Sequence, residues 1–201
     1  IDYIICASNA LSKLYKKKYP QKKIKYIADA VEYFTENFSE YNHKAIYFGW
    51  LTEERLEIIE ALKKIFTAFG WEIITMSNRN NPDIQWEDWS SEKTFQIIGE
   101  HTVSLIPIDS NELSQYKSAN RVLQSLALGN IVLCGNIESY REVIINNYNG
   151  FICSKPSDWE NALIEISDEY KRNKIIENGF ETAQNFKMDN IILKWRDFLQ
   201  I

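Results

Sequence analysis

Five consecutive residues, Lys117-Ser118-Ala119-Asn120-Arg121, combine two cations, a hydroxyl, a small residue and an amide directly ahead of an apolar run, Val122 to Leu128. At a helix start the backbone N–H groups are unpaired and the helix dipole is positive, so an anion can settle there. Lys117 would add a point charge and Arg121 a planar fork able to grip two oxygens, while Asn120 could donate to a phosphate or a sugar hydroxyl. The pattern describes a cradle for a diphosphate. It also describes an ordinary surface helix start.

Two other helix starts differ in chemistry. The one after Gly49 carries Glu53 and Glu54, which favour the helix dipole and repel phosphate. The one after Gly135 offers Asn136, Glu138 and Ser139, able to line a sugar pocket or simply to cap a helix. Trp86 and Trp89 are candidates to stack on a nucleobase, or to pack in a core. His43 and His101 stand too far from other chemical groups to form a catalytic pair or a metal site. There is no D-x-D pair, HExxH or Gly-x-Ser-x-Gly, so metal hydrolysis and serine chemistry lack support.

The elements that position these residues follow from periodicity. From Ala45 onward, short apolar runs alternate with helical-period segments, the mark of an α/β fold with a Rossmann-like parallel sheet flanked by helices. Expected strands are 45–48, 71–75, 84–86, 102–108, 131–134 and 151–153. Expected helices follow Thr52, Ser90, Ser118 and Glu138, the last running to Asn146, with a largely helical remainder from Pro156. Ahead of this array, strands at 3–7 and 24–27 flank a helix at 10–19, which reads as the closing unit of a preceding domain plus a connector. The expected organisation is therefore a remnant and connector at 1–43, a Rossmann-like domain at 44–186 and a C-terminal helix at 187–201. Ile191, Ile192, Trp195 and Leu199 form a stripe on that helix that needs a partner surface, in this domain or in one missing from the chain.

Composition sets bounds on function. A net charge of −5 over 201 residues argues against a nucleic-acid binder. Lys13, Lys16, Lys17, Lys18, Lys22, Lys23 and Lys25 fall in a segment without acids, compatible with peripheral contact to anionic lipid and equally with a solvated loop and helix end. The three widely spaced cysteines fit a reducing compartment. No run approaches the roughly 18 apolar residues that span a bilayer. A cytoplasmic location is expected, at the inner face of the membrane if the lysines touch lipid. The start at Ile1 is read as a cut from something longer.

These segments together resemble, over nearly the whole chain, the retaining nucleotide-sugar glycosyltransferases of the family 4 type with a GT-B fold. The similarity lies in Ile46-Tyr47-Phe48-Gly49, in Val103-Ser104-Leu105-Ile106-Pro107, in Lys117 through Leu133, and in Glu138 to Ile144 with Asn149-Gly150-Phe151-Ile152. The resemblance implies the donor-binding C-terminal half of such an enzyme, with Gly49, Trp89, Ser118, Ala119, Asn120 and Gln124 around a nucleotide diphosphosugar and Lys117 and Arg121 as the catalytic cations. No cofactor and no metal are implied; the acceptor domain would be absent from the chain, and surface polysaccharide assembly would be the setting. Two glutamates of the family pattern are replaced by Tyr116 and Gln124, of which Gln124 retains the capacity to bond a ribose. Asp109 or Glu112 could reach in from the loop. The basic pair expected after the first strand is replaced by Trp50, Leu51 and Thr52, with Arg55 a turn later. A non-catalytic nucleotide-sugar-binding module is the alternative. An unrelated flavodoxin-like or receiver domain is a third reading, against which stands the lack of an acidic phosphoacceptor cluster.

Overall fold

The computed structural model describes residues 3–78, 85–88 and 93–200. Six strands, β3 (Lys44–Phe48), β4 (Glu72–Ser77), β5 (Gln85–Asp88), β6 (Val103–Ile106), β7 (Ile131–Gly135) and β8 (Phe151–Cys153), form one wholly parallel sheet in the order β5-β4-β3-β6-β7-β8. The chain builds outward from β3 through β4 to β5, then returns to pair β6 on the other side of β3. The strand order reverses between β3 and β6, and in open parallel sheets ligands bind beyond the carboxyl ends of the strands at such a reversal.

Alternation along the strands supplies both faces. Ala45 and Tyr47 join Ile59, Leu62 and Phe66 of α2 (Glu53–Ala68) and Trp159, Leu163 and Ile166 of α6 (Pro156–Ser167) in one core. Ile106, Val132 and Cys134 face Val122, Leu123 and Leu126 of α4 (Asn120–Ala127) and Ala183 of α7 (Glu169–Gln184) in another. With both faces covered, the strands read as continuous apolar runs. Between β5 and β6, α3 (Thr94–Gly99) is shorter than the expected helix, whose starting Ser90 lies outside the described residues. After β7, α5 (Glu138–Arg141) is a single turn where a helix to Asn146 was expected: Asn149 accepts from the Ile145 N–H and donates to the Val143 carbonyl, so a side chain takes up backbone groups that would have continued the helix.

The first residues stand apart from this sheet. β1 (Tyr3–Cys6), α1 (Asn9–Lys18) and β2 (Lys23–Tyr26) make a parallel βαβ unit, as the sequence implies. Lys16, Lys17 and Lys18 occupy the last turn of α1, where cations favour the helix dipole. The connector after β2 is pinned along the main domain: the Val31 N–H donates to the Phe186 carbonyl and the Thr35 N–H to that of Ala127. The final helix, α8 (Met188–Leu199), turns back onto the N-terminal unit, burying Ile191 against Ile27 and Ala28 and setting Phe198 edge-on to Tyr3. Ile192, Trp195 and Leu199 of the expected stripe stay largely exposed. No helix among the described residues is long and apolar enough to cross a membrane.

Ile191 is the one fully buried side chain of α8. Ile191→Ala should loosen the helix at a cost of about 2–4 kcal/mol, seen as faster limited proteolysis after Phe186 while the circular dichroism of the remaining domain holds; unchanged cleavage would show that other contacts anchor it.

Candidate functional site

At the reversal point, the turn after β3 and the loop after β6 face each other. The turn needs Gly49, whose φ of 132° lies where side chains are strained, and a Cβ there would stand 2.9 Å from Nη1 of Arg121. Arg121, on the first turn of α4, crosses that gap and donates from Nη1 to the carbonyl of Phe48 at 2.8 Å. Asn78 fixes the far side of the turn by accepting from the Leu51 N–H at 2.7 Å. The Thr52 hydroxyl caps α2 on the Arg55 N–H, placing the Arg55 side chain one turn into the helix and back over the cleft.

The loop after β6 supplies a single buried carboxylate. Asp109, 8% exposed, accepts from Arg55 Nε at 2.7 Å and from the Ser114 hydroxyl, and lies 3.7 Å from Lys117 Nζ. Burial alone would raise its pKa, but the Ser114 hydroxyl, Lys117 and Arg55 outweigh it and hold the carboxyl below the ordinary range. Lys117 is pushed below the ordinary lysine value, first by burial and then by repulsion from Arg55; Asp109 offsets part of this, and Arg121 adds to it. Its ammonium is buried without a hydrogen-bond acceptor. Arg55 also donates to the Trp50 carbonyl at 2.8 Å, as does the Tyr47 hydroxyl at 2.9 Å.

These groups enclose a cleft of about 280 Å³ lined by Gly49, Trp50, Arg55, Lys117, Ser118, Asn120, Arg121 and Tyr140. A second hollow of about 350 Å³ shares Gly49 and Trp50 and extends to Ser77 and Asn78. The helix start is bare. Ala119, not Ser118, holds the N-cap position, so no side chain caps the first turn, and Ser118 reaches only the Asn120 N–H at 3.5 Å. An uncapped first turn facing cations is arranged to take oxygens from outside.

Lys117, Arg121, Gly49, Ser118 and Asn120 thus converge on one cleft, whereas Ala119, the N-cap of α4, turns its side chain into the core and does not line it. Nor does Gln124. It is 5% exposed and spent on the connector, accepting from the N–H groups of Glu32 at 3.0 Å and Tyr33 at 3.4 Å and donating to the Tyr33 carbonyl at 2.6 Å. An amide with both ends engaged in buried backbone bonds is a clamp for the chain, which corrects the expectation that it reaches a ribose. Trp89 lies outside the described residues. Trp86 donates its indole N–H to the Ser77 carbonyl from the edge strand β5. Of the two aromatics among the described residues that line the cleft, Tyr140 is buried and Trp50 is 68% exposed.

Glu54 turns away from the cleft to accept the Ser110 N–H, and Glu138 pairs with Lys13 at 2.6 Å. Asn136 bonds Ser154 and Arg141. His43 packs against Tyr41 and Trp71, and His101 holds the Ile97 carbonyl. Among the described residues no group of three or more His, Cys, Asp or Glu could hold a metal ion. Sequence reasoning missed Asp109 as an organiser, Arg55 as a site cation, and Trp50. The first two sit beyond the ends of β3 and β6, and only the strand order makes them neighbours.

No protein-family model and no curated protein matches the chain. Solved structures do. The chain is similar to the pneumococcal O-GlcNAc transferase GtfA, solved with UDP and GlcNAc, at a TM-score of 0.74 and 13% identity, over 100% of this chain and 45% of that one. It is similar to Anabaena HepE, solved with UDP and glucose, at a TM-score of 0.80 and 11% identity, over 99% and 63%. The C-terminal domain of the group 1 glycosyl transferase LpcC from Francisella tularensis aligns at a TM-score of 0.58 and 17% identity, over 79% of this chain and 97% of that domain. The chain spans about half the length of GtfA and under two thirds of HepE. Its fold is that of the C-terminal half of GT-B glycosyltransferases.

Two substitutions separate site from scaffold. Gly49→Ala should displace Arg121 and add about 1–3 kcal/mol of backbone strain, lowering affinity for nucleoside diphosphates in calorimetric titration. Gln124→Leu should leave buried connector groups unpaired and cost about 1–3 kcal/mol in urea unfolding without altering that affinity; a loss of affinity at full stability would return Gln124 to the site.

Proposed function

We propose that this chain is the donor half of a glycosyltransferase, holding a nucleotide diphosphosugar by its pyrophosphate and assisting transfer of the sugar to a hydroxyl acceptor. The observation that carries the reading is the convergence of Arg55, Lys117 and Arg121 on an uncapped helix start at the sheet's reversal point. The likeness in fold to GtfA and HepE, both solved with UDP, supports it.

In this reading the pyrophosphate oxygens fill the cleft, satisfying the ammonium of Lys117 and the free N–H groups of α4. The hollow between Trp50 and Asn78 takes the nucleoside, with Trp50 as its stacking surface. When the glycosidic bond breaks, negative charge grows on the leaving phosphate. Cations fixed in place before the bond breaks stabilise that charge more than they stabilise the bound donor, which is the condition for catalysis. No cofactor enters the scheme. The acceptor, and the group that receives its proton, belong to a domain N-terminal to the main sheet, of which β1-α1-β2 is the closing unit. Assembly of a surface polysaccharide is the setting we favour.

A binding module without turnover is the second reading, favoured by one observation: Tyr116 and Gln124 stand where the resembled family has carboxylates, and Gln124 is committed elsewhere. Release of nucleoside diphosphate from a donor sugar, with acceptor present and the N-terminal half added back, decides between the two.

Lys117→Ala and Arg121→Ala should each weaken UDP or GDP binding about 10- to 100-fold by calorimetry, at a temperature where circular dichroism shows both variants folded. Binding should also take up protons at alkaline pH. The free Lys117 pKa lies below the ordinary value and phosphate raises it, so affinity is full below the free pKa and is lost as pH rises from there through the bound pKa. Equal heats in buffers of different ionisation enthalpy would exclude this coupling.

A further inference from the structure

Three cations, Arg55, Lys117 and Arg121, line the cleft, and a buried carboxylate beside it, Asp109, bonds the first and lies 3.7 Å from the second. A negative charge buried beside these cations works against the attraction of a phosphate even as it helps to hold them together. Asp109 is within contact of Arg55 and Lys117, so it subtracts one charge from the potential that a bound phosphate meets. Resting on the donor-site reading above, we propose that Asp109 is a specificity-determining residue that holds the cleft's potential down, so that the nucleoside diphosphate left after transfer is not bound much more tightly than the donor.

The chemistry of the two ligands makes the difference. In a nucleotide sugar both phosphates are esterified, and the pyrophosphate carries two negative charges. When the bond from the anomeric carbon to the β-phosphate oxygen breaks, the electron pair stays on that oxygen and the sugar passes to the acceptor. The terminal phosphate becomes a monoester whose second ionisation lies near pH 6, so close to neutrality the product carries about three charges. The energy of a ligand in a fixed field scales with its charge. Each unit added to the cleft is felt by two charges in the donor and by about three in the product, and a more positive cleft tightens the product most. Slow release of a tightly held product limits turnover.

The mere positioning of Arg55 and Lys117 by Asp109 would act differently. Misplaced cations weaken donor and product alike, whereas a change of net charge changes their ratio.

The test is titration calorimetry of the full chain with UDP against UDP-glucose, and GDP against GDP-mannose, in low salt near neutral pH. Asp109→Asn, which removes the charge at nearly constant shape, should raise the preference for the diphosphate over the sugar nucleotide by on the order of tenfold, a gain that shrinks as salt is added. Asp109→Glu should keep the wild-type ratio even where both affinities drop, and Lys117→Gln should lower it. In wild-type protein the ratio should fall as pH drops through about 6, where the diphosphate loses its extra charge, which keeps the test open if Asp109→Asn fails to fold. Equal weakening of both ligands by Asp109→Asn, or a wild-type ratio indifferent to pH, overturns the proposal while leaving the donor site intact. Failure of wild-type protein to bind any of the four ligands overturns the donor site itself.

Discussion

Like charges do not gather unless something holds them, and in this chain that something is Asp109. Arg55 arrives from α2 and Lys117 from the loop ahead of α4, and burial first, then their mutual repulsion, depress the lysine. One carboxylate within 2.7 Å of the first and 3.7 Å of the second offsets part of that repulsion. A buried carboxylate would be unfavourable alone. Here the cations and the Ser114 hydroxyl supply its partners, so the cluster is stable as a set and each member would be costly without the others.

Placement follows from the sheet. β3 and β6 are hydrogen-bonded neighbours whose chains depart in opposite directions, so a gap opens between the turn at Gly49 and the loop at Asp109 that no helix fills. Arg121 spans it only because position 49 has no side chain. Its bond to the Phe48 carbonyl also satisfies a backbone acceptor at the end of a buried strand, a group that would otherwise need water. The same contact therefore finishes the sheet and aims the guanidinium.

How much of this the sequence reveals depends on how far apart the partners lie. The strands and the helices around them are legible because burial on both faces writes continuous apolar runs, and the helix start at Lys117 to Arg121 is legible because its cations are contiguous. Gln124 is misread for a physical reason. Its place in the pattern says which helix face it occupies, but the peptide groups of Glu32 and Tyr33 that claim it are some ninety residues away. The sequence lets Asp109 reach in from its loop and sets Arg55 a turn after the first strand, but only the strand order brings the two together, and Trp50, standing where a basic pair is expected, proves to line the cleft. Ser118 fits the cap pattern, yet the helix begins one residue later than its hydroxyl can serve.

The 3-10 turn at Glu112–Tyr116, where the sequence shows only a polar loop, joins these levels. Ser114 donates its hydroxyl to Asp109, and its carbonyl accepts the Lys117 N–H at 3.3 Å, so one residue fixes both the counter-ion and the backbone of the cation it faces. Two residues on, the Tyr116 carbonyl accepts from Ser8, whose buried hydroxyl at the same time caps α1 on the Leu11 N–H. The first helix of the chain is thereby bonded, through a run of short contacts, to the loop that carries Lys117. A rotation of the N-terminal unit strong enough to break the Ser8 contact would release the Tyr116 carbonyl beside Lys117, and the geometry of the cleft cannot be independent of where that unit sits.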